Sequence, residues 1–293
     1  MSRFQHFAAI DWSGAAGERH KGIAVALCRA GDAAPEPVRP GHRWSRADVL
    51  AWLVGGMPAD TLVGLDLGIS LPFADCGAFF PGWDDSPPDA KALWRLVDTL
   101  CTGDPHLSVA SFVDHLDASR YFRRHGGREG AQFHHDGAAH RRGRFRVTEL
   151  AQEQMGCKPY SNFNLVGAAQ VGKSSLSGMR VLHQLKRRLP VWPIDPAPDR
   201  GSLVVEIYTT IAALEAGRSA SRSKMRSFAE LNAALGVLGS PSLPDAGPID
   251  DHSADALLTA AWLRKAADRG GLWHPRAIKD QIARTEGWTF GVP

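Results

Sequence analysis

The sequence predicts an α/β protein: a mixed β-sheet flanked by helices and interrupted by a long insertion. Three observations predict it. Short apolar β-runs alternate with amphipathic helical stretches, a middle region loses that alternation, and no internal repeat or low-complexity tract divides the chain. At 293 residues, with 44% hydrophobic and 22% charged residues, the composition suits one large globular domain with a sizeable core. No apolar run reaches the roughly 20 residues of a membrane span, and the N-terminal run meets Asp11 too early for a secretory signal. A cytoplasmic protein without a membrane partner is expected.

FAAIDW (7–12) opens as a short apolar strand ending in an acid, and GIAVALCRA (22–30) reads as a second. After a Pro-rich turn, HRWS (42–45) is the candidate third strand. Ser45 then caps a helix over RADVLAWLVGGM, which glycines close. TLVGLDLG (61–68) has a buried-strand pattern with a second terminal acid. From about 75 to 160 the pattern changes to an insertion, with helices expected over 89–101 and 108–116. Beyond it, 175–189 is an amphipathic helix, and the Pro-rich segment 191–201 leads into the strand SLVVEIYTT (202–210). Helices are predicted over 224–239 and 253–271, and EGWTFGV (286–292) is a candidate final strand. The whole reads as a single domain over 1–293, with the insertion as a candidate lid or homodimer arm.

The net charge of +3 conceals an uneven distribution. Residues 119–146 hold eight arginines, two acids and four histidines, interleaved with glycines, for a local charge of +6. This predicts a long mobile loop that grips a polyanion. Arg120, Arg123, Arg124, Arg141, Arg142 and Arg144 are its candidate phosphate contacts, and Tyr121, Phe122, Phe133 and Phe145 its candidate stacking platforms for bases. The alternative is a solvated loop whose arginines pair with acids elsewhere. Cys28, Cys76, Cys101 and Cys157 include no CxxC pair, which argues against a disulfide scaffold or a paired-cysteine zinc site.

Three acids stand where acids are costly. Asp11, Asp66 and Glu206 each end or interrupt an apolar β-run. Strand C-terminal ends are also where open α/β sheets bind ligands. A helix adds more: Ala254, Leu257, Leu258 and Ala261 form its buried stripe, and Asp251 and Asp255, four apart, share a flank beside it. Asp250 or Asp251 also suits an N-cap, a role that does not cover Asp255. Converging carboxylates suit a hard divalent cation, Mg²⁺ or Mn²⁺, next to a substrate phosphate. Asp11, Asp66, Glu206 and Asp255 are the expected ligands, and Asp251 a fifth ligand or a base.

The segments AAIDWSG (8–14), VGLDLGISLP (63–72), VGAAQVGKSSLSGMRVL (166–182), VVEIYTT (204–210), DDHSADALLTAAW (250–262) and EGWTFGV (286–292) resemble the family called domain of unknown function 429, predicted RNase H-like nucleases. The resemblance implies an RNase H-like fold with a central five-stranded mixed sheet flanked by helices. It also implies two Mg²⁺ or Mn²⁺ ions held by strand and helix acids, acting on DNA or RNA.

One literal motif competes. Gly167 to Ser174 satisfies GxxxxGK[ST], in which Lys173 would reach a nucleotide phosphate. It falls past the middle of the chain and leaves Asp11, Asp66 and the last helix without a role. A nucleotide-hydrolysing or phosphotransfer enzyme is therefore the alternative, with Lys173 otherwise a phosphate contact at a helix N-terminus. A binding module that kept the fold without catalysis is the third reading.

Overall fold

In a computed structural model, residues 3–134, 142–166 and 170–293 are described. Six strands form one mixed sheet: β1 (His6–Asp11), β2 (Ala24–Arg29), β3 (Glu36–Pro37), β4 (Thr61–Asp66), β5 (Val191–Trp192) and β6 (Leu203–Glu206). Their order is β3-β2-β1-β4-β6-β5. β2 runs antiparallel to both β1 and β3, while β1, β4, β6 and β5 are mutually parallel neighbours. β1 and β4 are thus central, and they pair in register so that Asp11 lies opposite Asp66.

Period-two alternation sorts the side chains into two layers. Ala8, Ile10, Val25, Val63, Leu65 and Val204 face one hydrophobic cluster, shared with helices α1 (Arg46–Ala51), α2 (Ala90–Leu100) and α5 (Val171–Gln184). Short helices α3 (Ala110–Val113) and α4 (Val147–Gln154) lie in the insertion between α2 and α5. Phe7, Ala9, Cys28, Leu62 and Val205 face the opposite cluster, built with α6 (Thr209–Glu215), α7 (Phe228–Val237) and α8 (Asp251–Ala266). A last helix, α9 (Asp280–Thr285), leads to the C-terminal turn. α8 packs against β1 and β2, and Gly64 lets β4 approach it: a Cβ there would lie 2.6 Å from Ile207 and 3.0 Å from Leu263.

The helix starts follow the expected chemistry. Ser45 caps α1 in a reciprocal box with Asp48, and Asp250 caps α8 through Ser253 N at 2.9 Å. Asp251 is therefore the first helical residue, free of the capping role.

Several expectations are corrected. The sheet has six strands, since Val191–Trp192 joins the edge despite the prolines that flank it. The third strand is Glu36–Pro37, not HRWS: edge position tolerates a proline, while Trp44 turns into the core. EGWTFGV forms no strand; Thr289 alone bridges Glu206, and Trp288 and Phe290 are buried in the turn. The described parts of 119–146 are anchored rather than loose throughout, with 121–122, 133 and 143–146 buried and 126–129 exposed. Tyr121, Phe122, Phe133 and Phe145 are buried and offer no face to a base. Among the described residues, no helix is long and apolar enough to cross a membrane.

Candidate active site

Three acids converge at one end of the sheet. Positions 7, 9 and 11 of β1 share a face, as do 62, 64 and 66 of β4, so Asp11 and Asp66 both turn toward the α8 layer. Asp255 meets them from the second turn of α8, with Asp251 one turn earlier on the same flank. Asp11 and Asp255 are buried.

Two residues not expected from the sequence complete the cluster. His252 Nδ1 lies 2.7 Å from Asp11 Oδ2, and this hydrogen bond is the main reason its pKa is raised. Lys224 donates to Asp255 Oδ2 at 2.5 Å and stands 3.8 Å from Asp251 Oδ2. Burial disfavours the Lys224 charge, but Asp255, Asp11 and Asp251 outweigh it and raise its pKa. The histidine had a readable signal, since it precedes Asp255 by three and shares its flank. The lysine had none, because it arrives from a turn 31 residues earlier.

The carboxylates are under electrostatic pressure. Burial first, then repulsion from Asp11 and Asp255, holds the Asp66 carboxyl well above the usual range. Its side-chain partner is the Thr209 hydroxyl at 3.2 Å, and no ion pair reaches it among the described residues. Burial pushes Asp255 up to about 6, opposed by Lys224 and reinforced by Asp11 and Asp251. Buried carboxylates of this kind are stabilised by a cation, and oxygen donors with one imidazole suit Mg²⁺ or Mn²⁺. The donor types suit such an ion, but among the described residues no group of three or more His, Cys, Asp or Glu side chains is placed to hold one.

Glu206 does not join this cluster. It shares the parity of Val204, so it turns to the opposite layer, where Arg146 holds both its oxygens at 2.6 and 2.8 Å. Ile69 N at 2.8 Å and Thr289 Oγ1 at 2.5 Å also donate to it. Arg146 in turn binds Glu149 at 2.6 and 2.8 Å and the Glu286 carbonyl at 2.9 Å. The expected fourth metal ligand is thus an internal counter-ion. A cleft of about 180 Å³ beside Asp66 is lined by Trp12, Asp66, Tyr160 and Tyr208 and also by the Arg146–Glu206 pair.

The arginines divide in the same way. Arg144 is fully buried, donating to both Asp75 oxygens and to the carbonyls of Pro72, Ala78 and Phe79, so it is no phosphate contact. Arg142 is half-exposed and pairs with Glu153. Arg120, Arg123 and Arg124 remain at the surface, paired with Asp117, Glu129 and Asp114. Arg141 lies outside the described residues. Arg120, Arg124 and Arg128 line one shallow groove of about 440 Å³.

The phosphate-loop reading is not supported by the local fold. Gly167 to Ala169 lie outside the described residues, and Val171 to Ser174 form the first turn of α5. Among the described residues no sheet strand leads into that helix: β4 and β5 are the strands on either side in sequence. Gly172 is there for packing, since a Cβ would meet the Asn162 carbonyl oxygen at 2.6 Å. Lys173 lines a separate cavity of about 280 Å³ with Arg46, Arg124 and Ser177. No family model, curated protein or solved structure matches the chain.

Proposed function

We propose that this chain is an RNase H-like, metal-dependent phosphodiester hydrolase acting on nucleic acid, of the kind the domain of unknown function 429 resemblance implies. One observation carries the reading: Asp11, Asp66 and Asp255 are gathered from two adjacent parallel strands and a helix at the strand C-terminal ends, with Asp66 half-buried and, among the described residues, without an ion pair. β1 to β4 and β6 would supply the five-stranded core, with β5 added at its edge.

Asp11 and Asp66 would hold Mg²⁺ or Mn²⁺ there, with Asp255 facing the same space. When bound, such an ion makes a water nucleophilic near neutral pH and offsets charge on a phosphodiester. The chain's own groups do the rest. The Asp11 carboxylate orients the His252 ring through Nδ1, fixing which imidazole nitrogen faces outward. Thr209 orients Asp66, and Lys224 keeps Asp255 ionised against its burial. Arg120, Arg124 and Arg128 would follow the phosphate backbone, exchanging surface partners of small net worth for phosphates.

The test is cleavage of single- and double-stranded DNA and of RNA in Mg²⁺ or Mn²⁺, with Asp11→Asn and Asp66→Asn as controls. Cleavage of one substrate class, lost in both variants, is expected. Absence of cleavage in either metal, together with unchanged metal binding in Asp11→Asn, would sink the reading. The Lys224–Asp255 ion pair also suits a second reading, an RNase H-like binding module without catalysis. It predicts nucleic-acid binding that ignores both the metal and Asp11→Asn.

A further inference from the structure

A cavity of about 280 Å³ lies where the chain leaving β1 meets α1, α3 and α5, in the layer opposite the acid cluster. Its walls are fixed. Gly14 packs so closely on the first turn of α5 that a Cβ would lie 2.4 Å from Ser174 N, and Trp12 Nε1 donates to Ser177 Oγ at 3.1 Å. Arg46 of α1 clasps the same segment, donating to the carbonyls of Ser13 at 3.0 Å and Ala15 at 2.6 Å, and to that of His106 at 2.9 Å.

The cavity holds two cations without counter-charges. Arg46 is 1% exposed, yet its hydrogen bonds all go to backbone carbonyls, and no carboxylate pairs with it among the described residues. Burial, then repulsion from Arg180, lower its pKa to about 10. Lys173 is half-buried on the same cavity, again with no ion pair among the described residues. Arg124 also lines it but is already paired with Asp114. Val109, Val113 and Leu165, all buried, supply an apolar wall.

We propose that this cavity binds a small organic carboxylate, its charge on Arg46 and Lys173 and its apolar body against Val109, Val113 and Leu165. The proposal is independent of the metal-dependent reading. A buried cation without a partner is costly, and a bound anion relieves that cost. A guanidinium has five N–H donors, so the four hydrogen bonds of Arg46 leave one hydrogen on Nη1. With the three donors of Lys173, it matches the roughly four acceptor positions of a carboxylate. A phosphate has a further oxygen, which the apolar wall would leave unbonded. A benzene ring fits a cavity of roughly 150 Å³, so 280 Å³ admits one ring or a short chain beside the carboxylate.

Benzoate, benzyl alcohol and inorganic phosphate are the probes, titrated calorimetrically into the wild type, Lys173→Gln and Lys173→Arg. One benzoate per chain is expected in the wild type, bound about tenfold or more tighter than either other probe. Lys173→Gln should weaken benzoate about tenfold, and Lys173→Arg should keep most of its affinity. No saturable benzoate binding to the wild type would overturn the proposal. So would phosphate or benzyl alcohol binding as tightly as benzoate, a benzoate Kd unchanged in Lys173→Gln, or an equal loss in Lys173→Arg.

Discussion

Replacing Arg146 by Met tests the claim that Glu206 is structural. Arg146 is 1% exposed and makes four charge-assisted hydrogen bonds of 2.6 to 2.8 Å to Glu149 and Glu206. Methionine fills similar volume without the charge, so the loss is electrostatic rather than a cavity. Two buried carboxylates then face each other unpaired. Breaking a buried pair costs about 3–5 kcal/mol. An independent route agrees: keeping one of them protonated at pH 7, against an ordinary Glu value near 4.3, costs about 3.7 kcal/mol at 1.36 kcal/mol per pH unit. In a protein of this size that lowers Tm by roughly 7–15 °C. The sign with pH is diagnostic. In the variant the folded-state pKa is raised above the unfolded one, so the penalty is absent below about pH 4.3 and grows as pH rises from there. Urea unfolding at pH 5 and pH 7 reads it, with a penalty of about 1 kcal/mol from this source at pH 5. A loss below 1 kcal/mol at pH 7, or one unchanged between the two pH values, would refute the reasoning.

Other consequences follow from the same geometry. His20 is buried, and burial, then Arg46 and His106, lower its pKa to about 4. Its contribution is fully present above pH 6.5 and is lost as pH falls through 4, by at most about 3 kcal/mol, so His20→Gln should flatten that acid limb in urea titrations. Mn²⁺ at 100 times its Kd should raise stability by about 2.7 kcal/mol, a gain absent from Asp66→Asn in thermal melts. On DNA, the double variant Arg120→Ala/Arg124→Ala should reduce the salt slope of binding by about 1.8. Arg144→Met should instead lower stability by about 3–5 kcal/mol, read by urea unfolding.

What the sequence made legible was local. Asp11 and Asp66 end apolar runs, and the capping of α1 and α8 needs only neighbouring residues. The layer each acid faces was not legible, because parity along one strand says nothing about another until their register is known. Glu206 aligns with Leu65, not Asp66, and that single-residue offset sends it through the sheet. The basic stretch misled for a related reason. Arg144 and Arg120 look alike in a run of arginines, yet carbonyls about 70 residues earlier bury only the first.

The acids at the sheet end are compensated unequally, and that inequality locates the site. Arg146 closes Glu206 with a rigid, buried fork that no solute displaces. Lys224 covers Asp255 with a single ammonium from a half-exposed stem. Asp66, on the strand between those of Asp11 and Glu206, has a threonine hydroxyl and the repulsion of two other carboxylates. A buried charge with only neutral donors costs several kcal/mol, unless it takes a proton or a cation. The proposed divalent ion at Asp11 and Asp66 would relieve more of that cost near neutral pH than a proton does, because it would act on both carboxylates together. The chain therefore places its fixed cations on Glu206 and Asp255, gives Asp11 the His252 ring, and leaves Asp66 without an ion pair among the described residues.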